Sequence, residues 1–346
     1  MNLVQSIFFN GQKRDSNIEL LRIVSMFFVL MLHANFLSLG KPDANAITNN
    51  PSNAFLSLLF QSFSIVGVNV FVLISGWFGI KPSKKKFVSF VFQCMFFSLG
   101  CYVVKLVFGD SDKSIGIILA YLINGISCVG YWFVISYVGL FILSPVLNAF
   151  VNKSGERLLG TILGAFFMFE FIYGWIYCNE FQSGYSFSHF IGLYLLARFV
   201  KIYHNKVFKM KLGMDLLVYI VCAFSVAVLS ILDQNHFDYY AYSCPLVVIS
   251  SLSLVLFFSK LRIRNNKYIN GIAKSSFAVY LFHCHYIMLP YYVIISKKIY
   301  QNNEGFVYLV KIVLFILSVY FVSIIIDMAR RFLWERLLLL KNKVKQ

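Results

Sequence analysis

Charged residues are few in this chain: 13% of its 346 positions, against 59% hydrophobic. A soluble globular protein carries roughly 25%, so that class is excluded. Acidic residues are the scarcest, with 14 Asp and Glu against 31 Lys and Arg and a formal charge of +17. Such an excess can mark a nucleic-acid partner. Here the basic residues lie in short segments between long apolar runs, as in the one-sided loops of a membrane protein, so no nucleic acid is expected. The seven cysteines are scattered, with no Cys-x-x-Cys pair and no His/Cys cluster at zinc-ligand spacing. Neither a disulfide framework nor a metal is expected, and the cysteines read as small buried apolar residues. A cleavable signal is also missing, because the apolar SIFF is too short and residues 12–17 are polar. The first long apolar run is expected to act as an uncleaved anchor.

Apolar length is what the chain does have. Runs near 20 residues predict membrane-spanning helices at about 18–39, 54–80, 87–108, 131–151, 157–177, 187–200, 212–232, 242–259, 272–296 and 306–327. Residues 115–127 are apolar but short, which suits a re-entrant or interfacial segment. The expected fold is all-α: a polytopic membrane protein of about ten transmembrane helices, one domain over 1–346 with its core at 18–327. The tail, 328–346, reads as a cationic amphipathic helix lying on a membrane surface. With these spans, 25 of the 31 Lys and Arg fall on one side, which places both termini in the cytoplasm.

The first span, NIELLRIVSMFFVLMLHANF, carries three ionisable residues, Glu19, Arg22 and His33. Arg22 and His33 are eleven residues apart, close to three turns, so they share a face, with His33 roughly 16 Å further along the axis. Glu19 and Arg22 are three apart and can pair. The stripe Asp15, Glu19, Arg22, Met26, Val29, His33 is thus polar at one end and carries an imidazole about halfway across a bilayer. Ionisable groups inside a spanning helix usually face a bundle interior or a wet cavity. The bland alternative is a topology-setting Arg and a satisfied buried His.

Other segments offer chemistry with weaker signals. In GVNVFVLISGWF, residues 67–78, Asn69, Ser75 and Gly76 interrupt an apolar helix. Small residues permit close helix packing, or they let a ligand approach the backbone. Lys81, Lys84, Lys85 and Lys86 follow; they suit anionic lipid head groups or the phosphates of a nucleotide-bearing donor. Tyr131-Trp132 is an interfacial pair. SSFAVYLFHCHY, 275–286, places Tyr280 and His283 on one face and His285 on another. Glu170 is an intramembrane acid with no evident partner, and His236 with Asp233 and Asp238 forms a polar cluster in an outer loop.

On these residues the chain resembles the acyltransferase 3 family of integral membrane acyltransferases. Arg22, ten residues, then His33 resembles the family's Arg-x10-His motif, and GVNVFVLISGWF its Phe-Phe-x-x-Ser-Gly-Phe motif. YWFVISYVGLFILSPVLN, 131–148, resembles its Trp-led fourth span ending in Pro, and SSFAVYLFHCHY its late Tyr-Leu-x-His block. The resemblance implies transfer of an acyl group, most often acetyl from acetyl-CoA, to a carbohydrate hydroxyl. The acceptor would be a polysaccharide or lipid-linked glycan, and the setting a bacterial inner (cytoplasmic) membrane. No bound cofactor is implied; acyl-CoA is a co-substrate. His33 would be the catalytic base, with Arg22 and Glu19 beside it. Donor contacts would come from Ser75, Gly76, Lys84 and Lys85, and pocket walls from Asn69, Tyr131, Trp132, Tyr280 and His283. The family's Arg-x-x-Arg after the second span is Lys81-x-x-Lys84 here, which keeps charge but not bidentate phosphate geometry.

Two rivals come from other classes. A transporter or flippase of a glycan precursor or acyl donor would also carry charges on a wet helix face, but should show inverted repeats and broken helices in matching positions, which the sequence does not display. A polyprenyl-dependent glycosyltransferase should place acids in the first outer loop, where only Asp43 stands.

Overall fold

Hydrophobic runs of this length cannot leave backbone polar groups unpaired in lipid, and helices satisfy them internally. The structure, a computed structural model, describes residues 14–108, 114–127, 130–177, 181–207, 211–233 and 237–343. The described residues are helices, turns and short irregular links, with no strand among them. The fold is an all-α, polytopic membrane protein.

Helix α1 (Ser16–Leu32) continues into a π-helical segment, His33–Leu37. The short α2 (Ala44–Asn49) follows. Asn50 caps α3 (Pro51–Ser64) by accepting from the Asn53 N–H, and α3 runs almost directly into α4 (Gly67–Phe78). Next come α5 (Lys84–Phe108), α6 (Ile115–Ser127), α7 (Trp132–Lys153) and α8 (Glu156–Glu170). The second half holds α9 (Phe187–Val207), α10 (Leu212–Leu232), α11 (Pro245–Lys260), α12 (Lys267–Ala273), α13 (Ser276–His283), α14 (Leu289–Gln301) and α15 (Gly305–Lys343). Among the described residues, seven helical stretches are long and apolar enough to cross a membrane, α3 and α4 counting as one.

The ionisable helix α1 lies at the centre, packed against α3, α4, α11, α12, α13 and α15. Glycine permits part of this. A Cβ on Gly67 would meet the Ser25 carbonyl oxygen of α1 at 3.0 Å, and one on Gly76 would meet the Tyr194 carbonyl oxygen of α9 at 2.5 Å. Both are the small-residue contacts that bring membrane helices together. Outward, apolar side chains such as Ile142, Val221 and Phe321 are exposed, the surface that lipid covers.

Two stretches differ from the sequence expectation. The run 272–296 is not one helix: it is the end of α12, α13, a turn over 284–288, and α14, which carries Pro290 in its first turn. Proline has no N–H to continue the α13 ladder, and the first turn of a helix, where Pro290 stands, needs none. The 328–346 tail is, as far as Lys343, the unbroken end of α15 rather than a separate surface helix. There Asp327 is buried and accepts from Arg330 at 2.7 Å and from Ser275 at 2.8 Å, with Arg331 at 3.2 Å. Pro145 lies inside α7, within the 131–151 span; having no N–H it leaves the Phe141 carbonyl without its helical partner, and the Ser144 hydroxyl donates there at 2.8 Å.

The basic asymmetry makes an orientation test direct. In a cysteine-free background, a single cysteine at the exposed position 83 should resist a membrane-impermeant thiol reagent added outside cells, whereas one at position 302 should react. The opposite pattern would reverse the orientation.

Candidate functional site

Three cavities lie in series through the bundle. The first opens at the basic end and is lined by Arg22, Gly79, Lys81, Lys86 and Tyr137, among others. It shares Arg22, Ser75, Phe90 and Tyr137 with a middle chamber. The middle chamber is walled mainly by apolar and aromatic side chains, with Arg22, His33, Ser75 and Lys274 as its polar groups, the make-up of a small-molecule site. It shares His33, Trp132, Tyr242 and Tyr280 with a third chamber at the opposite end. Along α1, the residues Arg22, Met26, Val29 and His33 all face the middle chamber. His33 stands where the middle and third chambers meet.

His33 is the first residue of the π-helical segment. The widened turn is held from outside: the Ser38 hydroxyl donates to the His33 carbonyl (2.5 Å), the Tyr292 hydroxyl to the Leu30 carbonyl (2.8 Å), and Asn35 exchanges hydrogen bonds with Ser57. Such π-bulges recur at functional sites. Across from His33 lies the break after α13. His33 Nδ1 is 2.9 Å from His283 Nε2, and Cys284 Sγ is 3.3 Å from each of these nitrogens. His283 Nδ1 is 2.6 Å from the Val279 carbonyl, which can only accept, so this nitrogen carries the proton. In neutral His283 the Nε2 is then a lone pair. It accepts from a protonated His33 Nδ1, which leaves His33 Nε2 as the free base.

The remaining residues singled out from the sequence fall in several places. Glu19 is buried, 3.3 Å from Arg14 and 3.8 Å from Arg22, and outside the chamber walls, whereas Arg22 lines two of them. Ser75 lines the chambers beside the Tyr137 hydroxyl at 3.2 Å. Gly76 faces α9 instead, its missing Cβ filled by the Tyr194 backbone. Lys84 and Lys85 are exposed and line none of the three cavities; Lys81, Lys86 and Lys274 do. Trp132 and Tyr280 form chamber walls, while Tyr131 sits behind them, donating to the Leu281 carbonyl at 2.9 Å.

Asn69 is not a wall residue either. Its side-chain N–H donates to the Tyr242 carbonyl (2.9 Å), and its oxygen faces His189 Nε2 (3.1 Å). His189 Nδ1 is 2.7 Å from Glu170, so the acid left unpartnered by sequence reading is paired. All three side chains are buried. His189 gave no signal in the sequence: it is a lone His whose partners lie 19 and 120 residues away.

The third chamber is aromatic with two charges. Trp132, Tyr185 and Tyr242 cluster in its wall: Tyr185 is tilted against both other rings, with centroids 4.7 Å apart in each pair, and Trp132 lies nearly parallel to Tyr242 at 5.8 Å. Tyr185 is delivered by a strained link, because Phe181, Gln182 and Ser183 all have positive φ (60°, 45° and 55°). Such strain collects at functional sites. Lys41 and Asp238 also line this chamber. Burial pushes the Asp238 carboxyl up, while the Tyr240 N–H and Lys41 pull the other way. His236, expected beside Asp238, lies outside the described residues.

No curated protein and no solved structure matches the chain significantly. The family model described as an acyltransferase domain, of the acyltransferase 3 type, matches residues 15–328. That range runs from the N-cap of α1 past Asp327 and contains every chamber-lining residue named above. The chain is a membrane acyltransferase of the acyltransferase 3 family.

Proposed function

We propose that this protein transfers an acyl group, acetyl in the simplest case, from acyl-CoA entering at the basic end to a hydroxyl of a carbohydrate entering at the opposite end. The observation that carries this reading is that two chambers, one basic at its mouth and one aromatic, share His33. A CoA donor has phosphates at one end and a thioester at the other. Its phosphates suit Lys81, Lys86 and Arg22, its thioester the middle chamber. A sugar has apolar C–H faces and hydroxyl edges, which suit the clustered rings of Trp132, Tyr185 and Tyr242 beside Asp238. In bacteria such a chain would sit in the cytoplasmic membrane, basic loops inside.

In the transfer step, the acceptor oxygen attacks the thioester carbonyl while His33 Nε2 takes its proton. The tetrahedral intermediate expels the CoA thiolate, which takes that proton from His33. The O–H and C–S bonds break, the C–O and S–H bonds form, and the enzyme returns to its starting protonation. General-base catalysis of this kind is typically worth about 10²–10⁴-fold. The side-chain N–H of His283 is committed to the Val279 carbonyl, so its Nε2 stabilises the charged His33 by accepting from Nδ1.

Protein reconstituted in vesicles tests the reading. Radiolabelled acetyl-CoA supplied on the basic-loop side should label a carbohydrate acceptor, and donor confined to the other side should not. Transfer to lipid or protein alone would remove the carbohydrate assignment.

The donor mouth gives a sharper result. Lys81→Gln with Lys86→Gln should raise the donor KM on the order of tenfold with a smaller change in kcat, since phosphate contacts persist from ground to transition state. Lys84→Gln with Lys85→Gln, outside the cavity walls, should move KM less than about twofold. Equal effects from the two pairs would assign the lysines to orientation rather than to the donor.

A further inference from the structure

The cluster at the break after α13 holds more than a proton path. His33 Nδ1, His283 Nε2 and Cys284 Sγ converge within 4.8 Å of one another, separated by 2.9, 3.3 and 3.3 Å. Tetrahedral zinc, with Zn–N of roughly 2.0–2.1 Å and Zn–S of roughly 2.3 Å, sets ligand atoms about 3.3–3.6 Å apart. The three donors therefore already sit near three corners of such a polyhedron, and small side-chain rotations complete it. Hydrogen bonding serves this triangle poorly, because His283 Nε2 has one lone pair facing both an N–H and a thiol. The bond from His283 Nδ1 to the Val279 carbonyl is the outer-shell contact that orients a metal-binding imidazole. His33 and Cys284 both line the third chamber, which leaves an entry route and a fourth position for water.

We propose that His33, His283 and Cys284 form a binding site for a zinc-class divalent cation, and that its occupation shuts off acyl transfer. Two imidazoles and a thiolate select zinc over magnesium or calcium, which take oxygen ligands. The Cys284 thiol gives up its proton on binding. The metal also takes the Nδ1 lone pair of His33, so the remaining ring proton moves to Nε2, the nitrogen that serves as base. This blockade rests on the base assignment made above; the binding itself does not.

The test uses full-length protein in detergent or nanodiscs, freed of metal by a chelator. Zinc should bind at about one equivalent per chain, and cobalt in its place should show a thiolate-to-cobalt absorption band. Cys284→Ser should abolish that band and weaken zinc binding by at least tenfold. In vesicles, zinc should inhibit transfer reversibly, chelation should restore it, and Cys284→Ser should need at least tenfold more zinc, measured against its own zinc-free rate. Absence of the cobalt band, or equal zinc affinity in parent and Cys284→Ser, would overturn the site. Binding with those signatures but without inhibition would keep the site and overturn the shut-off. Absence of zinc-free transfer would count against the proposed function and leave the binding result standing.

Discussion

Replacing His33 by Gln should lower acyl transfer on the order of 10²-fold or more at matched protein levels, with insertion into the membrane unchanged. Gln keeps polarity and hydrogen bonding but accepts no proton at neutral pH, and the lost factor is the usual contribution of a positioned base. His33→Ala should lose as much. The internal comparison is His283→Gln: the amide oxygen can still accept from His33 Nδ1 across the 2.9 Å contact, so its loss should be smaller, about tenfold. Initial rates of labelled acyl transfer in isolated membranes measure all three. Near-normal turnover in His33→Gln would reduce the α1 stripe to a docking or structural feature.

The largest stability effect should come from Glu170→Ala. The 2.7 Å contact between Glu170 and His189 is fully buried, and through Asn69 the same chain of bonds reaches the carbonyl of Tyr242, which borders two chambers. Removing one partner of a buried pair costs about 3–5 kcal/mol, because the other is left uncompensated in an apolar interior. At about 2.1 cal/mol/K of unfolding entropy per residue, a chain of 346 residues shifts by about 1.4 °C per kcal/mol, so unfolding in detergent should move down by roughly 4–7 °C. Glu170→Leu combined with His189→Leu should recover part of that loss, since well-packed apolar residues often replace a buried pair at little cost. A Glu170→Ala protein as heat-stable as its parent would show that the pair does not brace the bundle. Thermal unfolding followed by tryptophan fluorescence decides it, with transfer assayed at low temperature to separate folding from chemistry.

The sequence by itself determined whatever depends on neighbours a few residues apart. Apolar runs near 20 residues specify helices in a membrane, because lipid offers backbone groups no other partner. Helical periodicity alone put Arg22, Met26, Val29 and His33 on one face, and these four line one chamber. Tertiary structure decided the rest, where a residue's meaning depends on what lies across from it. Gly76 is compatible with either a ligand or a helix at its bare backbone, and the Tyr194 carbonyl fills that space. Of the four lysines after α4, Lys81 and Lys86 line the mouth while Lys84 and Lys85 do not; their charges are identical, and only the direction of each side chain separates them. Pro290 was legible as a residue but not as a break, since a proline in an apolar run either kinks a membrane helix or ends it, according to what neighbouring helices can satisfy. His33 meets His283 and Cys284 across 250 and 251 positions. No periodicity spans such a distance, and the contact exists because α1, widened at its π turn, and the broken end of α13 pack at the same depth.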